Sequence, residues 1–120
     1  MKATELMIGD WVLYKSDRIE NAFLVQITQG MFCDELVRWS YRFEPISLDS
    51  EIMNKFGFEC SYDDYHQWYI ETNHNNLWLE QSRTEPHTYF MRVFNDLKVR
   101  YVHELQHVLR LCGIEKTIEL

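Results

Sequence analysis

Two histidines four residues apart with a glutamate after the first, His103-Glu104-x-x-His107, are the residues whose types and spacing could do chemistry. On a helix, that spacing places both imidazoles on one face, where they can share a zinc ion. It also sets Glu104 as general base toward a metal-bound water. The activity would be that of a zinc-dependent hydrolase. A catalytic zinc needs a third protein ligand and an open fourth position. Glu115 and Glu119 are the downstream candidates, and His66, His74 and His87 lie upstream. None stands at the spacing of the longer zincin signatures, and little chain follows His107 to build a lobe over a substrate.

The element that must position this motif is a helix from Tyr101 to Gly113. Tyr101, Leu105, Val108 and Cys112 recur at i, i+4, i+7 and i+11, with Val102 and Leu109 beside them. That is one apolar stripe at helical period. Gly113 suits the left-handed position after the last turn, and Arg110 opposes the negative end of the dipole. At about 100° per residue the stripe centres near Leu105, and His103 and His107 fall roughly opposite it. A zincin helix has its histidine face covered by the rest of the enzyme. Here that face is expected to be wet, its polar residues spelling the motif without forming a site. The preferred reading is therefore non-catalytic. The alternative is a hydrolase with His103 and His107 as metal ligands and Glu104 as catalytic base. Zinc is expected only under that alternative.

Composition narrows the classes further. At 120 residues the chain is the length of one domain, 1–120, and can bury a core without disulfides. Twelve basic against 19 acidic residues give a net charge of −7, which argues against nucleic acid or an anionic membrane as partner. Cys33, Cys60 and Cys112 are odd in number and lack a Cys-x-x-Cys, so neither a disulfide framework nor a zinc knuckle is expected. Reduced thiols in a cytoplasm fit better, with Cys112 a small buried hydrophobe on the helix stripe. The N-terminus has no apolar signal core and no window reaches membrane-spanning length. The partner expected is an unknown protein or a small ligand. A metal shared through the histidine pair would make a homo-oligomer.

Along the chain, Gly9-Asp10 marks a turn before a strand at Trp11-Val12-Leu13-Tyr14, and Ala22 to Thr28 reads as a second strand. Val37, Trp39, Tyr41 and Phe43 alternate with Arg38, Ser40, Arg42 and Glu44, the pattern of a half-buried antiparallel strand ended by Pro45. These three strands suggest a small curled sheet of SH3-like kind. A short helix follows from Leu48 to Gly57, with Asp49 as N-cap, Leu48 as staple and Gly57 closing the last turn. Tyr65 to Glu71, Leu77 to Gln81 and Thr88 to Phe94 form a three-stranded meander. A short extended piece at Leu97 to Arg100 then leads to the final helix. No linker, low-complexity run or clear repeat interrupts the chain.

Seven Tyr, seven Phe and four Trp make the chain rich in aromatics. Trp68, Tyr69 and Trp78 on neighbouring strands are the candidate binding surface, with Tyr62 and Tyr65 just before them. Core packing is the competing use for each. Asp63-Asp64 could ligate a hard cation, although such pairs are ordinarily solvated. No Gly-rich phosphate loop or nucleophile elbow is present.

Four segments in order carry a resemblance: Ile8-Gly9-Asp10-Trp11-Val12, Phe43-Glu44-Pro45-Ile46-x-Leu48, Ile52-x-x-x-Phe56-Gly57-Phe58 and Tyr101-Val102-His103-Glu104-Leu105-Gln106. The chain resembles a group of short proteins from Bacteroides-type gut bacteria and their phages or mobile elements. That group has no assigned activity. The resemblance implies that the last helix is a shared structural part and that its His-Glu-x-x-His spelling is not a catalytic hallmark. The fold expected is α+β: an antiparallel N-terminal sheet, a short helix, a three-stranded antiparallel meander and a packed C-terminal helix. The function expected is that of a small acidic, non-enzymatic binding or accessory protein.

Overall fold

The computed structural model describes residues 6–15, 23–28, 42–71, 76–91 and 97–114, with 118 and 120. The chain divides into two compact units, Met1–Ile46 and Ser47–Leu120.

In the first unit, β1 (Trp11–Tyr14) lies between β2 (Phe23–Gln26) and β3 (Phe43–Glu44), all antiparallel. The turn leading into β1 depends on Gly9, whose φ of 92° is open to glycine at little steric cost. It is closed by the Asp10 amide on the Met7 carbonyl at 3.1 Å, and the Asp10 carboxylate accepts the Met7 amide at 2.7 Å. Leu6, Val12, Ile27 and Phe43 form the core, with Tyr14 packed on it edge-to-face with Phe43. The strand expected over Val37 to Tyr41 lies outside the described residues. Among the described residues, three strands are too few to close an SH3-like barrel, so that part of the expectation is not carried forward.

The second unit begins with helix α1 (Ser50–Lys55). Asp49 caps it as expected, its Oδ1 accepting the Ile52 amide at 2.8 Å, and Leu48 is fully buried beside the helix start. At the other end the Gly57 amide reaches the Asn54 carbonyl and the Phe58 amide reaches the Met53 carbonyl, both at 3.0 Å. That pair of bonds is a Schellman closure, and the φ of 93° at Gly57 is the left-handed turn it requires.

A five-stranded antiparallel meander follows: β4 (Glu59–Cys60), β5 (Gln67–Ile70), β6 (Leu77–Gln81), β7 (Tyr89–Met91) and β8 (Lys98–Val99). Three strands were expected, with a short extended piece at Leu97 to Arg100 where β8 lies. The extra two are two-residue edge strands, too short to show an alternation of their own. Register puts Trp68, Leu79 and Met91 side by side on the buried face, with Tyr89 beside Val99. The opposite face carries Glu59, Tyr69 and Trp78 in one cross-strand row, and Gln67, Glu80, Phe90 and Lys98 in the next.

Helix α2 (Val102–Leu111) ends in a second Schellman closure, Gly113 to Arg110 at 3.0 Å and Ile114 to Leu109 at 2.8 Å. Among the described residues, no helix is long and apolar enough to cross a membrane.

Candidate functional site

The motif helix is rolled differently from the expectation. Its buried side chains are Val102, His103, Leu105, Gln106, Val108 and Leu109. The buried arc therefore centres on Val102 and Leu109 rather than Leu105, and it is wide enough to take in His103, which is 5% exposed. The expectation of two imidazoles facing water is corrected: His103 is inside and His107 is half-buried. Cys112, expected inside, is exposed because it lies past the last helical turn. Tyr101 lies parallel to the His103 ring at 6.0 Å, and His107 meets it edge-on at 5.7 Å. The two imidazoles are thus neighbours, engaged in ring contacts within the helix.

Glu104 has a structural use. Its Oε1 accepts the backbone amides of Arg100 at 3.0 Å and Tyr101 at 3.2 Å. A glutamate in the third position of a helix reaching back to the N-cap amide is half of a capping box. Its negative charge also meets the positive end of the helix dipole. Sequence reasoning passed over this role because Tyr101 is not a capping residue type. The signal available was the glutamate three residues after the first non-helical position.

The expected third ligands are not gathered here. His87 places Nδ1 2.6 Å from the Leu48 carbonyl, and His66 sits 3.4 Å from Asp64 in the β4–β5 turn. His74, Glu115 and Glu119 lie outside the described residues. Among the described residues, no group of three or more His, Cys, Asp or Glu could hold a metal ion. Of the Asp63-Asp64 pair, Asp64 is engaged within its own turn. Asp64 accepts the His66 amide at 2.9 Å and lies 3.7 Å from Arg83. The backbone bond from His66, with smaller help from His66 and Arg83, holds the Asp64 carboxyl below the ordinary aspartate range.

The candidate binding surface divides by strand alternation. Trp68 is corrected out of it: it is 5% exposed, on the buried face, with Nε1 donating to Gln81 Oε1 at 3.2 Å. Neighbouring residues of a strand point to opposite faces, so Trp68 and Tyr69 cannot serve one surface. Tyr69 and Trp78 are brought together on the outer face. They are direct cross-strand partners with ring centroids 4.9 Å apart, tilted by 37°, within the range of favourable aromatic pairing.

No family model, curated protein or solved structure matches the chain. The site therefore rests on its own geometry.

Beside the aromatic pair the surface opens into a depression of about 350 Å³ lined by Gly57, Glu59, Tyr69, Ile70 and Glu71. The Tyr69 hydroxyl donates to Glu59 Oε2 at 2.9 Å. Its phenol is pushed above the ordinary tyrosine value, first by that bond, then by the Glu59 charge and by burial, with the Glu71 charge adding to them. Sequence reasoning missed Glu59 and Glu71, because their approach to one phenol depends on strand register. The opposite end of the face is charge-compensated. Lys98 lies 5.9 Å from the Phe90 ring centre and pairs with Glu85 at 3.0 Å, and Arg100 approaches Glu85 at 3.5 Å. Farther along the β4–β5 hairpin, Tyr62 and Tyr65 are 100% and 80% exposed on a turn held by the Asp64–His66 bonds.

Proposed function

We propose that the protein is a non-enzymatic binding or accessory module that recognises its partner through the outer face of the five-stranded sheet, centred on Tyr69 and Trp78. The observation that carries this reading is the aromatic pair at 4.9 Å, whose Tyr69 lines a depression of about 350 Å³. Rigid aromatic rings supply contact area at small entropic cost, and a shallow cavity beside them gives that area a point of specificity. The engagement of Glu104 at the start of α2 supports this reading over a zinc hydrolase, whose base would need that carboxylate. A phage or mobile-element origin, which the resemblance suggests, and a place in the cytoplasm, which the unpaired cysteine pattern suggests, belong to the same proposal.

The test is an amide correlation spectrum of the isotope-labelled full chain, titrated with panels of basic, acidic and neutral peptides and of oligosaccharides. Shifts confined to residues 57–59, 69–71 and 76–80 are expected from at least one panel. Shifts clustering instead around His103 and His107, or no shift from any panel, would overturn the reading.

A further inference from the structure

We propose that the depression lined by Glu59, Tyr69 and Glu71 seats the cationic side chain, arginine or lysine, of an extended basic segment in a partner protein. This rests on the binding reading above and names the partner's chemistry.

Charge is the first argument. Glu59 and Glu71 are exposed and line the depression together with Tyr69, and among the described residues no lysine or arginine lines it. Among the described residues neither carboxylate belongs to an ion pair, while the cations at the far end of the face are held by Glu85. The whole chain carries a net charge of −7, so a basic segment is drawn toward it from a distance. Glu59 meets the Tyr69 hydroxyl directly at 2.9 Å, and Glu71 lines the same depression.

The kind of cation follows from the lining. A metal ion would want more oxygen ligands than two carboxylates supply, and among the described residues no third donor completes such a group. An organic cation instead uses what is there. The ring of Tyr69, backed by Trp78, offers a π face, and the carboxylates accept N–H donors. The depression, at about 350 Å³, lies at the small end of the roughly 300–1,000 Å³ typical of ligand sites. It suits one long side chain. The Tyr69–Glu59 bond orients ring and carboxylate before anything arrives, and an ionised carboxylate keeps further acceptor positions after taking one hydroxyl.

The sheet edge explains why the cation belongs to a peptide. β4 pairs only with Trp68 and Tyr69 of β5, so the main chain of Ile70 and Glu71 runs past the end of its neighbour. An extended segment can lie along such an edge while its side chain enters the adjoining depression.

The experiment titrates the labelled full chain with acetyl-Gly-Arg-Gly-Arg-Gly-amide. It uses the same peptide with citrulline for arginine, which keeps the shape and removes the charge, and with glutamate for arginine. The arginine peptide is expected to shift the amides of Gly57, Glu59, Tyr69 and Glu71, binding about tenfold more tightly than the citrulline peptide. The advantage should shrink with added salt. Glu59→Gln with Glu71→Gln should abolish it, and Glu51→Gln, on the exposed face of α1, should leave it intact. Equal shifts from all three peptides at these amides would overturn the cation seat and leave the binding face standing. Shifts elsewhere, or none, would overturn the seat, and the oligosaccharide and neutral panels then decide the face separately. The peptide and salt comparisons need no variant, so a folding defect in the double substitution does not blunt the test.

Discussion

Glu104 accepts the backbone amide of Tyr101 at 3.2 Å, turning the glutamate of a His-Glu-x-x-His spelling into a helix cap. The carboxylate that would activate water in a zinc site is here bonded to the chain that starts α2.

Removing that cap should weaken the fold. Glu104→Ala is expected to cost about 1 kcal/mol in urea unfolding, in the range of lost N-terminal caps. Glu104→Gln keeps an acceptor and should lose much less. Equal losses for the two substitutions would mean that the carboxylate does not act as an acceptor at Tyr101.

The roll of α2 has its own signature. Leu105 is fully buried, whereas Leu111 is 88% exposed. Leu105→Ala should destabilise by about 2–5 kcal/mol through transfer and cavity terms, and Leu111→Ala by less than about 0.5 kcal/mol. Comparable effects from both leucines would contradict the observed orientation.

Thiol labelling separates Cys112 from Cys60. Cys112 is exposed. Cys60 is partly covered, its Sγ donates to the Tyr65 carbonyl at 3.2 Å, and burial with the nearby Asp64 charge pushes its thiol up. In a Cys33→Ser background, a disulfide-exchange reagent should modify Cys112 first. The Cys60 rate should rise only at a higher pH than that of an ordinary thiol. Faster labelling of Cys60 would contradict its hydrogen bond and coverage.

Acid should unfold the protein partly through Asp64 and Glu85. Both carboxyls titrate below their ordinary range when folded, Asp64 through the His66 amide and Glu85 through Lys98. The folded state then binds fewer protons than the unfolded one. The stability they contribute is present above the unfolded carboxyl pKa and is lost as pH falls through the folded value. Asp64→Asn and Glu85→Gln should each flatten the fall of stability with acid, measured by urea unfolding across a pH series. An unchanged slope would remove these groups from the account.

The outer aromatic pair should also be measurable as a pair. A double-substitution cycle over Tyr69→Ala and Trp78→Ala should return a coupling of about 0.5–1.5 kcal/mol, the range for paired rings. A coupling near zero would mean that the two rings pack independently.

Much of the second unit was legible from local sequence. Asp49 with Leu48 announced the start of α1, and Gly57 and Gly113 announced both helix ends, because caps and left-handed turns are decided among neighbours in the chain. Strands β1 and β6 were read at their observed bounds for a similar reason: alternation and turn residues are written within each segment. The edge strands β4 and β8 were less legible. Two residues carry no period, and their pairing is supplied by the strands beside them.

The sequence by itself determined that this chain builds short antiparallel strands, a capped short helix and an amphipathic final helix. Tertiary structure decided how they face. It sent His103 inward and left Cys112 out, since a broad apolar stripe restricts a helix's roll only to within its own width. It decided that Trp68 rather than Tyr69 faces inward, and through cross-strand register it set Tyr69 against Trp78 with Glu59 beside them. Register and burial are settled between segments distant in the chain, by the surfaces that meet there.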